Sequence, residues 1–217
     1  MNPTVYLETT ISGYLAMQPS GALRIAANQQ TTHEWWTEHR HHFSVYVSRF
    51  VVGECAAGDS VAAADRLRVL AEVPLLEVTT DAESLAGALL EEVPLPPKAA
   101  TDALHIAVAA VNGVEYLLTW NCRHIANPAL RPRIESVCRR MGFEPPVICT
   151  PQDLWRSTME TDPVVAEVRA VREHLAARLG FRLHDIVKEA QRQDAAGDRK
   201  VVRLPPRRPI AAAVGTK

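Results

Sequence analysis

Four oxygen-bearing side chains stand out because the residues around them are apolar or small. Glu8 closes the run TVYL, Glu54 sits in VVGECAAG, Asp102 lies in KAATDALHIAVAAV, and Asn121 follows YLLTW. An ionised carboxylate set beside an apolar face costs several kcal/mol unless something positive compensates it. Three such acids without a conjugate Lys or Arg invite a divalent cation. Hard oxygen donors with no clustered His or Cys favour Mg2+ (or Mn2+) over zinc. Mg2+ held by carboxylates suits hydrolysis of a phosphodiester, where the metal neutralises charge developing on phosphorus and lowers the pKa of the attacking water. Three acids and one amide make one well-held metal site and only a weak second.

The elements that must bring these residues together are short. TVYLE at 4–8 is a β-branched and aromatic run, and TTISGYLA after it changes to helical spacing with Ile11, Tyr14 and Leu15 on one side. A longer helix over 22–42 carries Trp35 and Trp36, SVYVS at 44–48 reads as the next strand, and VVGECAAG at 51–58 as a short helix. The alternation continues with a helix over 60–71, the strand LLEVT at 75–79, a helix from a Thr80-x-x-Glu83 capping box and a helix over 98–111. YLLTW at 116–120, a helix over 129–141, VICT at 147–150 and a turn of helix from Thr150-Pro151 complete it. Strands alternating with helices predict crossover connections and a parallel sheet covered on both faces, hence a three-layer α/β domain with five strands. Ligands bind such sheets beyond the carboxyl ends of the strands, which is where Glu8 and Asn121 fall.

The composition fits one globular domain with an appendage: 217 residues, 47% hydrophobic and 23% charged, which excludes disordered and collagen-like classes. No apolar run approaches the roughly 18–20 residues that cross a bilayer, so no membrane role is expected. The start MNPTVYLETT lacks the basic and apolar regions of a signal peptide, and Cys55, Cys122, Cys138 and Cys149 show no C-x-x-C spacing. Both features point to a reducing, cytoplasmic compartment. The net charge of −1 conceals an uneven distribution, because residues 159–217 carry 12 basic and 8 acidic side chains while residues 1–158 carry 12 and 17. An acidic body with a basic tail fits two sites of opposite preference, or two parts made to meet.

After Trp155 the alternation stops. Asp162-Pro163 opens a helix whose stripe is Val164, Val168, Val171, Leu175 and Leu179, and Gly180 ends it. RLHDIVKEAQRQDAA makes a second helix with Leu183, Ile186, Val187 and Ala190 on one side. From Arg199 onward there are six basic residues and no acid. Two amphipathic helices without a third element bury their stripes poorly on each other, so they are expected to dock on this chain's body or on a partner. The segment THEWWTEHRHH holds His33, His39, His41 and His42, but no acid or Cys completes a zinc set there and the spacing suits a wet helix face. Trp35 and Trp36 read as packing or a dimer contact.

YLETTISGYL, the isolated acid of VVGECAAGD, TDALHIAVAAVNGVEYLLTWNCRHI and the closing VICTPQDL resemble the PIN-domain ribonucleases, especially the VapC-type toxins of bacterial toxin–antitoxin modules. The likeness runs in order over about residues 3–156 and is most specific in the D-A-L-H-I-A…L-L-T-W-N stretch. It implies a PIN-like three-layer α/β/α sandwich with a five-stranded parallel sheet, Mg2+-dependent endonucleolytic cleavage of RNA, and a metal-binding catalytic quartet. Carried over residue by residue, that quartet is Glu8, Glu54, Asp102 and Asn121. The commonest PIN pattern has aspartate at the first and fourth places. Here Glu8 is one methylene longer and Asn121 is uncharged, which implies a single-metal mechanism and low activity. By the same resemblance Thr9 and Thr10 orient Glu8 or a water on the metal; their alternative role is a helix N-cap. Arg123 and His124 either meet a phosphate or are solvated. Such nucleases commonly form homodimers. A catalytically silent PIN module serving as an RNA- or protein-binding scaffold is the alternative.

The C-terminal segment METDPVVAEVRAVREHLAARLGFRLHDIVKEAQ…RKVVRLPPRRP resembles the short antitoxins encoded beside such nucleases, with Met159 where one would start. The implied organisation is a nuclease domain over 1–158, an antitoxin-like helical segment over 159–198 and a basic, proline-containing tail over 199–217. In such pairs the antitoxin, here the chain's own segment or a separate protein, wraps the nuclease and inserts a basic side chain among the acids. Arg199, Lys200, Arg203, Arg207 and Arg208 are the candidate inhibitory cations, since Arg or Lys can replace Mg2+ as the neutralising charge. A tether would hold such an inhibitor at an effective concentration on the order of millimolar. The same cations would otherwise serve RNA phosphates, or form a basic terminus without a specific role.

Overall fold

Four short strands form one parallel sheet: β1 (Thr4–Leu7), β2 (Ser44–Tyr46), β3 (Tyr116–Leu118) and β4 (Val147–Cys149), in the order β2-β1-β3-β4. The computed structural model describes residues 2–154 and 163–196. Parallel neighbours cannot be joined by a hairpin, so every connection is a crossover. Helices α1 (Thr9–Ala16) and α2 (Leu23–Glu34) lie between β1 and β2. Helices α3 (Arg49–Ala56), α4 (Ser60–Leu70), α5 (Thr80–Glu92) and α6 (Ala100–Val111) lie between β2 and β3. Helix α7 (Arg131–Arg140) joins β3 to β4, and the short α8 (Pro151–Leu154) follows. Register is tight: Leu7 pairs with Leu118, and Leu118 with Cys149.

The sheet has four strands, not five. The expected strand at 75–79 contributes a single parallel bridge, Val47 to Leu75, through Val47 N–H to Pro74 O (3.0 Å) and Leu76 N–H to Val47 O (2.8 Å). It goes no further because its ends are claimed elsewhere. Pro74 has no N–H to donate, the Glu77 carbonyl accepts from Asn112 Nδ2 at 3.0 Å, and Thr79 caps α5 by accepting from the Ala82 N–H. The cap residue is therefore Thr79 rather than Thr80. The helix expected over 22–42 also changes character, passing from α2 into a π turn at Trp35–His39 and a 3-10 turn at Arg40–His42.

Right-handed crossovers explain how the helices group. The chain steps outward from β1 to β2 to the Leu75 edge, then returns across the sheet to β3 and β4. Helix α1 packs with α2, α3 and α4, the helices of the outward steps, whereas α5 packs with α6 and α7, the helices of the return. This α/β arrangement is consistent with a three-layer α/β/α sandwich. Its core includes Val5, Tyr6, Leu7, Leu117, Leu118, Ile106 and Trp35, all at most 1% exposed. Gly113, at φ +63, ends α6 and turns the chain at once into β3, a left-handed position that suits glycine.

The chain divides into two compact units, Met1–Arg156 and Ser157–Lys217. Within the second, α9 (Pro163–Arg178) opens on a proline and closes at Gly180 (φ +62), and α10 (Leu183–Ala196) follows. Val168, Val171 and Leu175 on α9 and Leu183 and Val187 on α10 are exposed. Asp162, Met159 and the basic tail with Arg199, Lys200, Arg203, Arg207 and Arg208 lie outside the described residues. Among the described residues no helix is long and apolar enough to cross a membrane.

Leu117, fully buried on β3 between β1 and β4, should be among the costliest core truncations. Leu117→Ala is expected to lower the stability of the first unit by about 2–5 kcal/mol in urea unfolding. Val147→Ala, at a position 56% exposed on the edge strand β4, should stay within about 0.5 kcal/mol.

Candidate metal centre

Alternation along β1 puts Tyr6 and Glu8 on one face and Val5 and Leu7 on the other. Glu8 is still in the ladder through its backbone, its N–H donating to Leu118 O at 3.0 Å. The residue is only 5% exposed, and its side chain turns to cap α1. Glu8 Oε2 accepts from the Thr10 N–H (3.1 Å), the Thr10 hydroxyl (2.5 Å) and the Thr119 hydroxyl (2.7 Å). Among the described residues, all of the carboxylate's hydrogen bonds fall on Oε2, which leaves Oε1 open to a ligand. The N-cap is thus Glu8 itself, and Thr10 orients it.

Glu54 projects from α3 toward the same edge. Its Oε2 accepts from the Thr9 hydroxyl and from His105 Nε2, the latter at 3.0 Å. The two threonines that open α1 therefore serve different acids. Partial burial pushes the Glu54 carboxyl up, but hydrogen bonds from His105 and Thr9, the charge interaction with His105 and a hydrogen bond from Thr101 outweigh it and hold the group below the usual glutamate range.

Asp102 stands in the first turn of α6. Its Oδ1 accepts from Asn121 Nδ2 at 2.9 Å and its Oδ2 pairs with His124 Nδ1 at 2.6 Å. Asn121 Oδ1 in turn accepts the His124 N–H at 3.2 Å. The Thr119 hydroxyl joins the two halves of the site, donating to Glu8 and accepting the Asn121 N–H at 2.9 Å. The Trp120 N–H closes the ring of contacts on Thr10 Oγ1, also at 2.9 Å. His124 thus meets Asp102, while Arg123 is exposed.

The structure brings Glu8 and Glu54 together with a residue that sequence reasoning passed over. Ligand atoms of Glu8, Glu54 and His105 all lie within 4.8 Å of one another, the one such group among the described residues, so none forms at His33, His39, His41 and His42. Asp102 and Asn121 pair with each other and with His124 instead. His105 was hidden in DALHIAVAA because an apolar run reads as core, and it is indeed 1% exposed. Its signal was spacing: three residues after Asp102, it shares that helix face. Among the described residues the ion pairs of Glu54 and Asp102 are with His105 and His124, not with Lys or Arg.

Compared with protein-family models and with curated proteins, the chain matches none.

The lowered Glu54 carboxyl has a definite pH signature. A group depressed in the folded state contributes stability above its unfolded pKa and loses it as pH falls through the folded value. Carboxyl-carbon NMR of the full chain should therefore place the Glu54 midpoint below the ordinary value of about 4.3. Thr9→Val, which removes one donor, should move it upward.

Proposed function

We propose that the chain is a Mg2+- or Mn2+-dependent endoribonuclease of PIN type, a three-layer domain that hydrolyses RNA phosphodiesters in the cytoplasm. The observation that carries this reading is the approach of Glu8 and Glu54. Two carboxylates offer oxygens within 4.8 Å of each other at the carboxyl ends of a parallel sheet, and neither has a Lys or Arg partner among the described residues. The donors are hard oxygens, which fits Mg2+ or Mn2+. Glu8 and Glu54 would hold the cation, with Asp102 and Asn121 completing the site on the same edge. When bound, the metal supplies charge neutralisation at the phosphate and acidifies the attacking water.

The chain's own residues fix the geometry that this chemistry needs. Thr10 and Thr119 hold Glu8, while Thr9 and His105 hold Glu54. The Asn121 amide spends its nitrogen on Asp102 and one oxygen lone pair on the His124 N–H. That supports orientation of Asp102 as its main part, and one metal rather than two.

The second unit is read as a built-in restraint of antitoxin type. Its support is the exposed apolar row of α9 and α10, including Val171, 62% exposed, and Leu183, 76% exposed. Such side chains favour burial against a partner surface. The cations of 199–217 are the groups that would neutralise the acids, and a homodimer is the assembly that goes with this reading.

Cleavage of total RNA in Mg2+ by the full chain and by residues 1–158, each with its Asp102→Asn variant, tests the proposal. Truncation should release cleavage and Asp102→Asn should abolish it, together with weaker Mg2+ binding. Unchanged activity in Asp102→Asn would remove the site assignment. Silence from both forms, with no metal bound, would favour a binding scaffold.

A further inference from the structure

His105 stands at the metal centre, yet its ring nitrogens are both engaged. Nε2 lies 3.0 Å from Glu54 Oε2, Nδ1 lies 2.9 Å from the Tyr6 hydroxyl, and that hydroxyl lies 2.7 Å from Ser48 Oγ. Tyr6 and Ser48 are 0% exposed and His105 1%. Ser48 occupies the N-cap position of α3 but makes no capping bond with its side chain. A serine there ordinarily accepts from an amide of the first turn; here its hydroxyl is given to Tyr6 instead.

The direction of each bond follows from the last. An ionised carboxylate only accepts, so the proton between His105 and Glu54 sits on Nε2. With that one proton on the ring, Nδ1 accepts the Tyr6 O–H and the Tyr6 oxygen accepts from the Ser48 O–H; with a second proton on Nδ1, neither ring nitrogen has a lone pair for a metal. For Nε2 to offer a lone pair to a metal, the proton would have to move to Nδ1 and the chain would run backwards. The Ser48 hydroxyl proton, buried, would then lose the one acceptor it has among the described residues. Burial also pushes the Tyr6 phenol well up, so it remains a donor.

We infer that His105 is a positioning residue and not a metal ligand: the buried Ser48–Tyr6 chain locks its Nε2–H onto Glu54, and the centre presents oxygen donors alone. This rests on the metal-site reading above and deepens it, because a centre denied its imidazole ligand prefers Mg2+ and Mn2+ over Zn2+.

The test is Mn2+ binding to the full chain, followed by electron spin echo envelope modulation. The expected spectrum carries no imidazole-nitrogen coupling that disappears in His105→Gln. That variant should bind Mn2+ within about threefold of the unaltered chain, since a glutamine amide N–H can reach where Nε2 stood, whereas His105→Leu should bind about tenfold more weakly. Tyr6→Phe, one oxygen smaller, frees the ring to change tautomer and should raise the preference for Zn2+ over Mn2+ at least threefold. Circular dichroism checks the fold of each variant. A coupling lost in His105→Gln, full Mn2+ affinity in a folded His105→Leu, or an unchanged Zn2+/Mn2+ preference in Tyr6→Phe would overturn the inference. Absence of Mn2+ from the unaltered chain would instead bring down the metal-site reading itself.

Discussion

Two carboxylates are kept side by side at the carboxyl end of β1 with no Lys or Arg paired to either among the described residues, and the rest of the first unit is arranged around that electrostatic burden. Like charges about 5 Å apart repel by a few kcal/mol at an effective dielectric constant near 20. Among the described residues the molecule answers with hydroxyl, amide and imidazole donors rather than with Lys or Arg. Thr10 and Thr119 donate to Glu8, Thr9 and His105 donate to Glu54, and Glu8 also sits at the amino end of α1, where helix dipole and free amides favour an anion. Dipoles stabilise each acid singly and leave their joint negative field in place, which is what a centre for a cation requires.

The same features that make the fold make this centre. Parallel register sets Leu7 opposite Leu118, so the next residues out, Glu8 and Thr119, meet at the edge of the sheet. Helix α1 starts at once, with no linker, and its first two residues become donors to two different acids. Helix α6 then presents Asp102 and His105 from one face, three residues apart. Trp120 ties the other end of the loop down, its indole N–H reaching Thr32 on α2 at 2.8 Å while its backbone N–H meets Thr10. No part of the centre hangs on a long unsupported loop.

Much of this was legible in the residues. A polar side chain ending or interrupting an apolar run is a strong signal, and it picked out Glu8, Glu54, Asp102 and Asn121, of which the structure brings Glu8 and Glu54 together and pairs Asp102 with Asn121. The supporting groups were not legible, for physical reasons. Thr119 and Ser48 are small hydroxyls whose partners lie 111 and 42 residues away, and no local pattern encodes that. His105 counts as a core position in periodicity because it is one; burial and polarity are independent properties. The strand at 75–79 failed because its β-branched composition speaks for extended backbone, whereas strand pairing depends on which amides and carbonyls remain free. Proline on one side and a helix cap on the other left it one bridge.

The position of β1 in the sheet carries a consequence in time. It precedes the other three strands in the chain and lies inside the sheet, flanked by β2 and by β3, whose residues come more than a hundred positions later. Chains fold as they emerge from the amino terminus, but here the opening strand must wait for Tyr116–Leu118 before its second ladder can close. The acids therefore cannot be gathered into a centre until most of the first unit has been made, with α7, β4, α8 and the second unit still to come. A nascent chain passes through most of its synthesis with these side chains present but dispersed.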